Sequence, residues 1–458
     1  MELFSPADRR PVHFVGIGGA GMSALAAIAC RRGVAVSGCD SDPAGAADVA
    51  ALGARIWAGH SPEHIEGVRA VVVTAAVPPD HPELVAARMA GIPVVPRKVA
   101  LAELVAGRRL VAVAGTHGKT TTTVMATEAL AAAGLDPTGL AGGRVSSWDG
   151  NARLAGDGLF VVEADEYDQA FLTLHPTVAV VNNVEADHLE CYGSLDALEA
   201  AFAEFAGRAE TVLVGADDAG SARLAGRLGG SRVWRFGTAP DADLRISGIR
   251  QEASFTAAEL AFPGGARETL RLRVPGLHNL RNAAGALGTV AALGGNLARA
   301  IEALGAFSGV GRRFDRLGEA GGVAIVDDYA HHPSELVATL AAARQAYPGR
   351  RLVAVFQPHL YSRTQQHGAA MGRALAAADV VVVTEVYAAR EQPIAGVSGR
   401  QVADAATGAG ATAYFEADRA SLGGRVASVV QAGDVVLTLG AGDITRLGPE
   451  LAARLRAA

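Results

Sequence analysis

The sequence predicts an α/β chain of three successive units, each a mostly parallel sheet flanked by helices. Three observations carry this expectation. Short apolar, β-branched runs recur along the chain, and many are followed by a helical pattern. Two of these runs end in glycine-rich turns. Most of the others end in polar residues suited to chemistry, as expected where strands open on the ligand edge of a parallel sheet.

The first unit starts with the apolar run at residues 12–15, which enters Gly16-Ile17-Gly18-Gly19-Ala20-Gly21. A helix is expected over 22–32, ending before Gly33, then a strand over 34–39 closed by Asp40. Glycines of this spacing, with an acid about twenty positions on, form a dinucleotide-type fingerprint. By motif alone the unit is nicotinamide-binding and Rossmann-like. The same turn holds diphosphates generally, and a second phosphate loop downstream favours that broader reading. Strands at 55–57, 70–74 and 93–95 and a helix at 82–90 complete the unit, which is assigned to residues 1–107. His60, His64 and His81 lie in polar loops and read as solvated surface residues.

The second unit is organised around Gly115-Thr116-His117-Gly118-Lys119-Thr120, between an apolar strand at 110–114 and a helix at 121–133. Strand, glycine turn and helix start aim backbone N–H groups and a helix dipole at one spot, which suits a phosphate chain. Lys119 can reach terminal phosphates and the Thr120 hydroxyl can hold Mg²⁺. The loop is shorter than the common P-loop, since Val113 stands where its first glycine would fall. Lys98 and Lys119 are the only lysines among 41 Lys and Arg residues. A chain that otherwise uses arginine has kept a compact point charge here.

A strand at 159–163 delivers Glu163-Ala164-Asp165-Glu166-Tyr167-Asp168, and another at 177–182 delivers Asn183-Val184-Glu185-Ala186-Asp187-His188. Glu163 can give Mg²⁺ a hard oxygen. A neutral imidazole is an unusual Mg²⁺ ligand, so His188 reads equally as general base or phosphate donor. Asp165 reads as solvated helix N-terminal acid, with Glu166 and Asp168 open between that and a role in the site. A helix at 197–206, strands at 210–214 and 232–236, and a small antiparallel patch within 244–272 follow. Asn279 and Asn282, three apart on a helix, can read a base or ribose edge; an N-cap role for Asn279 is the alternative. This mononucleotide-binding, P-loop-type unit is assigned to 108–311.

The third unit, 312–458, opens with the cation-bearing hinge Arg312-Arg313-Phe314-Asp315. Strands at 323–326, 351–356, 380–384 and 435–439 follow, again a Rossmann-like α/β pattern. Their ends carry Asp327-Asp328-Tyr329-Ala330-His331-His332, Gln357-Pro358-His359 with Arg363, and Gly440-Ala441-Gly442-Asp443.

Bulk properties narrow the function classes. With 458 residues, half of them hydrophobic and 19% charged, the chain builds several globular cores, and its net charge of −6 disfavours bulk binding to nucleic acid or acidic membrane. Cys30, Cys39 and Cys191 show no metal spacing and no even disulfide framework, which indicates a reducing compartment. No apolar span of membrane length and no leader is read, so a cytoplasmic enzyme or nucleotide-binding protein, monomer or homodimer, is expected.

In combination, these motifs resemble those of the Mur ligase family of ATP-dependent amide-forming enzymes over nearly the whole chain. The resemblance implies a three-domain architecture: a UDP-sugar domain, an ATP domain, and a C-terminal domain closing over ATP and the amino acid. It implies that Gly16, Gly18, Gly19, Gly21, Met22 and Ser23 bind the UDP diphosphate, with Asp40 near the uridine. Gly115, Thr116, His117, Gly118, Lys119, Thr120 and Thr121 would cradle ATP. Asn279, Asn282, Arg313, Asp328 and His332 would contact it too. Thr120, Glu163 and His188 would hold Mg²⁺, and Lys119, Glu163, His188 and Arg313 would be catalytic. Tyr329, His331 and Arg363 would sit near the amino acid. Leu360 stands where many relatives carry a second arginine, and Thr74-Ala75-Ala76 replaces a serine-rich turn. No lysine follows Lys119, so the carbamylated lysine of later-acting relatives is absent, which fits the branch that couples L-alanine to UDP-N-acetylmuramate in peptidoglycan precursor synthesis. The alternatives are the recycling branch that adds a tripeptide to the same sugar, a nicotinamide dehydrogenase, and a non-catalytic nucleotide-gated module.

Overall fold

The computed structural model describes residues 2–228, 232–389 and 391–457. The strands form three sheets. The first contains β1 (Val12–Val15), β2 (Val36–Asp40), β3 (Arg55–Ala58), β4 (Ala70–Val73) and β5 (Val94–Pro96), in the order β3-β2-β1-β4-β5. All its pairings are parallel. The strand order reverses between β1 and β4, which opens a crevice at the carboxyl ends, beside the Gly16 turn.

The second sheet has ten strands: β6 (Arg109–Ala114), β7 (Thr138–Val145), β8 (Gly150–Arg153), β9 (Leu159–Glu163), β10 (Val178–Val181), β11 (Thr211–Gly215), β12 (Arg232–Gly237), β13 (Leu244–Glu252), β14 (Phe255–Ala261) and β15 (Arg267–Leu272). Their order is β15-β14-β13-β12-β11-β10-β6-β9-β7-β8. β6 lies between β10 and β9 and is parallel to both. The loops that leave these three strands therefore meet on one edge. The β7–β8 hairpin was not expected: Thr-Gly-Leu-Ala-Gly-Gly-Arg-Val is too rich in glycine to read as a strand.

The third sheet contains β16 (Asp315–Ala320), β17 (Val323–Asp328), β18 (Leu352–Phe356), β19 (Val380–Thr384), β20 (Thr412–Glu416) and β21 (Val435–Leu439), in the order β16-β17-β21-β18-β19-β20. Only the edge strand β16 runs antiparallel, and its mostly exposed polar sequence hid it from a pattern search. Its inner strands are buried throughout.

The chain divides into two compact units. One comprises Met1–Ile249, Ala258–Leu270 and Leu280–Phe307; the other comprises Arg250–Ala257, Arg271–Asn279 and Ser308–Ala458. Within the first unit a single apolar core runs from Phe14 and Leu25 under the first sheet to Phe160 and Phe205 beside the second. A buried polar link accompanies it, with Asn151 Nδ2 donating to Ser23 Oγ at 2.8 Å. Among the described residues no helix is long and apolar enough to cross a membrane.

Candidate active site

The loop between β6 and helix Lys119–Ala132 is built on two glycines with positive φ, Gly115 at 126° and Gly118 at 79°. L side chains rarely adopt such angles. Space excludes them as well: a Cβ on Gly118 would lie 2.5 Å from Asn282 Oδ1, and one on Gly115 2.9 Å from the Asn182 nitrogen. The strand beside the loop pins it. Thr116 N–H donates to Asn183 O at 3.1 Å. His117 N–H donates to Asn183 Oδ1 at 2.8 Å, and Glu185 N–H to Thr116 Oγ1 at 2.8 Å. The result is a preformed concave turn capped by a helix N-terminus, the geometry that favours an anion.

Lys119 is the cation of this turn. Its Nζ donates to both carboxylate oxygens of Glu166 at 2.8 Å and to Gly115 O at 2.8 Å. Burial works against the Lys119 charge, but Glu166, Asp165 and Glu163 together hold the ammonium well above its ordinary range, so it stays protonated. Glu166 is 2% exposed. Of the two readings left open for Glu166, burial and its pairing with Lys119 favour a place in the site over a solvated helix-terminal acid. The signal was present, since the one loop lysine needs a counter-charge when no phosphate is bound. Asp168 is half exposed and pairs with Lys98 at 2.9 Å. Asp165 accepts from Tyr167 N–H at 3.1 Å and lies 3.9 Å from Arg97.

Thr120 Oγ1 donates to the two Glu163 oxygens at 3.1 and 3.0 Å, and Gly142 N–H holds Glu163 Oε2 at 2.7 Å. β6 and β9 thus place a hydroxyl and a carboxylate together beside Lys119, a hard-oxygen donor set. His188 has φ of 52° at the start of a short helix and lies near Asp187, Glu190 and the Tyr167 ring, its Nδ1 3.4 Å from Glu190 Oε1. Asn282 packs against Gly118 as described. Asn279 is not an N-cap: the helix begins at Leu277, and the Asn279 amide donates to Pro275 O at 2.7 Å.

The second anion turn, at β1, is built differently. Gly16, φ 79°, and Ile17 donate their N–H groups to Cys39 O at 2.8 and 3.1 Å. Gly18 N–H donates to Asp40 Oδ2 at 2.9 Å, and Asp42 N–H to Oδ1 at 3.0 Å. Asp40 therefore closes the turn, each of its oxygens accepting one backbone N–H. Met22 and Ser23 are buried, and Ser23 is bonded to Asn151. Sequence reasoning missed Arg97, whose guanidinium lies 2.8 Å from where a Gly21 Cβ would be, at the start of helix Ala20–Arg31. Only the fold brings residue 97 back to the glycines. Of the three loop histidines, His60 is exposed as expected, while His64 and His81 are partly buried and not the solvated residues the sequence suggested. They surround Glu83, which is completely buried, with His64 Nδ1 at 2.8 Å from its Oε1.

In the second unit, Arg312 Nη2 donates to Gly440 O at 2.7 Å and its Nε lies 3.3 Å from Asp327. Arg312 and Arg313 both lie over the Tyr329 ring, at 4.8 and 4.9 Å. Asp328 accepts from Phe314 N–H, Ala330 N–H and Thr339 Oγ1 at 2.7, 2.8 and 3.2 Å. Burial pushes its carboxyl up to about 6, against the pull of Arg313 and those amides. His332 caps helix Pro333–Ala346 together with Glu335. His331 Nδ1 lies 2.9 Å from Tyr329 O and its ring 6.1 Å from that of His359. Arg363 Nη1 is 3.4 Å from His359 Nδ1. Leu360 adopts φ of 69° and is buried.

Comparison with known proteins matches this chain to three family models along its length. They are the Mur ligase family catalytic domain over residues 11–109, the Mur ligase middle domain over 113–290, and the Mur ligase glutamate ligase domain over 312–442. The UDP-N-acetylmuramate–L-alanine ligase of Kineococcus radiotolerans is 48% identical over 449 residues, covering 96% of this chain and 95% of that protein. That of Streptomyces coelicolor is 45% identical over 446 residues, covering 96% of each. Among solved structures, the UDP-N-acetylmuramate–alanine ligase of Thermotoga maritima superposes with a TM-score of 0.83 at 32% identity, over 98% of this chain and 99% of that one.

Proposed function

This chain belongs to the Mur ligase family, and from that premise we propose that it joins L-alanine to the lactyl carboxylate of UDP-N-acetylmuramate, consuming ATP and releasing ADP and phosphate. The relatives that bear this activity by name span nearly their full length on this chain, which also supports its place in peptidoglycan precursor synthesis. The observation that carries the reading is the grouping of Lys119, Thr120 and Glu163 on a preformed phosphate turn. Residues 1–107, 108–311 and 312–458 are read as the UDP-sugar, ATP and amino-acid domains.

A free carboxylate is a poor electrophile, so the reaction runs in two transfers. The lactyl oxygen attacks the γ-phosphorus and ADP leaves, giving an acyl phosphate. The alanine amine, having lost its proton, attacks the acyl carbon and phosphate leaves. Phosphoryl transfer asks mainly for positioning and charge neutralisation. Lys119 turns from Glu166 to the terminal phosphate. The Gly115 and Gly118 backbone lets the chain approach the phosphates closely. Thr120 and Glu163 fit Mg²⁺ by their oxygen chemistry, and His188 is assigned to the same ion by the family pattern; the ion would neutralise phosphate charge. Asn279, Asn282, Arg313, Asp328 and His332 are assigned to ATP, and Tyr329, His331 and Arg363 to the amino acid. Asp328 also holds the Phe314 and Ala330 backbone through its hydrogen bonds.

One assay tests the reading. Phosphate release is measured with UDP-N-acetylmuramate, ATP and Mg²⁺, offering L-alanine, glycine, L-serine or the tripeptide in turn. L-alanine should give the highest kcat/KM, and Lys119→Ala should abolish most of the signal while UDP-sugar binding persists. Preference for the tripeptide would move the chain to the recycling branch. Turnover by Lys119→Ala within about tenfold of the parent would remove the phosphate turn from the mechanism.

A further inference from the structure

β1 and β2 alternate faces, as strands do. Val12 and Phe14 enter the larger core, while Val15 and Cys39 enter a smaller one beneath helix Pro82–Met89. His13 and Glu83 lie on that second side, and both are completely buried beside Cys39. A buried carboxylate, a thiol and imidazoles in an otherwise apolar layer are costly and serve no step of the ligase reaction.

Two groups that share Glu83 could hold a metal ion, His13 with Cys39 and Glu83 and His60 with His81 and Glu83, the ligand atoms of each lying within 4.8 Å of one another. Cys39 Sγ lies 2.9 Å from Glu83 Oε2 and 3.1 Å from His60 Nδ1. Glu83 Oε2 lies 3.6 Å from His13 Nε2 and 3.9 Å from His60 Nδ1. Zinc bond lengths of about 2.0–2.3 Å give a tetrahedron with edges of roughly 3.3–3.6 Å. The four Cys39 and Glu83 separations, of the six edges such a site has, run from 2.9 to 3.9 Å and bracket that range. His13 Nε2 is buried without a hydrogen-bond partner and aimed at the cage. Its other nitrogen is held by Ser37 Oγ at 3.0 Å. The second oxygen of Glu83 is held by His64 Nδ1 at 2.8 Å and Ser61 N–H at 3.0 Å. Groups that orient ligands from behind are a regular part of metal centres.

We infer that His13, Cys39, His60 and Glu83 bind one divalent cation of the zinc class, at a site separate from the Lys119–Glu163 centre. A thiolate with two imidazoles and a carboxylate suits Zn²⁺ or Co²⁺ and not Mg²⁺, which takes hard oxygen ligands. Binding exchanges one proton: the Cys39 S–H bond breaks, the Sγ–metal bond forms, and the proton leaves to solvent. The dication with thiolate and carboxylate makes an electrically neutral buried centre. Cys39 also offers its carbonyl to the Gly16 and Ile17 amides, so the cation would fix the strand end that carries the first anion turn.

The test uses the full chain, stripped with a chelator and titrated with Co²⁺ in excess Mg²⁺ to keep the oxygen site filled. A thiolate-to-cobalt charge-transfer band should grow to saturation at one ion per chain and be displaced by Zn²⁺, with one proton released per ion. The band should vanish in Cys39→Ser. His60, 31% exposed, can be removed with little risk to folding, and as a direct ligand its loss in His60→Ala should weaken Co²⁺ binding by at least the roughly 10–100-fold that losing an outer-shell partner costs. Absence of the thiolate band in the parent protein, or bands unchanged in both variants, would overturn the assignment.

Discussion

Replacing Glu166 with alanine should destabilise the nucleotide-free protein and tighten its hold on ATP. In the parent, both Glu166 oxygens lie 2.8 Å from Lys119 Nζ, and the acid is 2% exposed. Removing it leaves a buried ammonium with Gly115 O at 2.8 Å and Thr116 O at 3.5 Å as hydrogen-bond acceptors. Breaking a buried pair from one side costs about 3–5 kcal/mol. Phosphate oxygens can replace the lost carboxylate, and the variant no longer has to break an existing pair to engage them. Charge-assisted hydrogen bonds recovered in this way are worth about 2 kcal/mol, or roughly 30-fold in affinity. Calorimetric titration with a non-hydrolysable ATP analogue and Mg²⁺, beside thermal unfolding with and without it, reads both effects. The analogue should raise the unfolding temperature of Glu166→Ala more than that of the parent. A variant as stable as the parent without nucleotide, or one that binds the analogue no more tightly, would refute the idea that Glu166 and phosphate compete for Lys119.

Two further outcomes follow from local geometry. In Gly18→Ala the new Cβ would lie 2.9 Å from Asp42 O and 3.0 Å from Asp40 Oδ2; overpacking of about 1–3 kcal/mol should weaken UDP-sugar binding by roughly tenfold while ATP titrates unchanged, and equal loss for both ligands would count against separate turns. Asp328 titrates near 6 in the folded protein against 3.8 ordinarily, so its carboxyl takes up a proton on acidification before the unfolded chain does, and its contribution to stability rises as pH falls from above 6 towards 4. The stability difference between parent and Asp328→Asn, followed by urea unfolding across that window, should shift in the parent's favour at the lower pH; a difference that stays flat would show that burial does not set this titration.

The parallel strands were legible because burial on both faces leaves uninterrupted runs such as Val178–Val181 and residues 380–383. The phosphate turn was legible because glycine, lysine and threonine follow one another along the chain. What escaped depends on residues that meet only after folding. β16 pairs through an exposed polar stretch, and β7 is built on glycines, so neither has a hydrophobic period. For Glu166 the sequence left a solvated acid and a site role open, and only its position against Lys119 separates them. Cys39 showed no metal spacing because its companions come from β1, the loop after β3 and the start of a distant helix. Arg97 shows no motif at all.

The buried link between Ser23 and Asn151, together with the apolar layer continuous from Phe14 to Phe205, bears on how such chains can be rearranged. The first hundred residues are no portable cassette. Grafted onto a foreign ATP module, helix Ala20–Arg31, buried here from Met22 to Ala29, would meet a surface not shaped to receive it. Recombination that preserves both binding turns but severs this seam yields a chimaera with intact motifs and a torn interior, so the two segments are expected to be inherited as a pair.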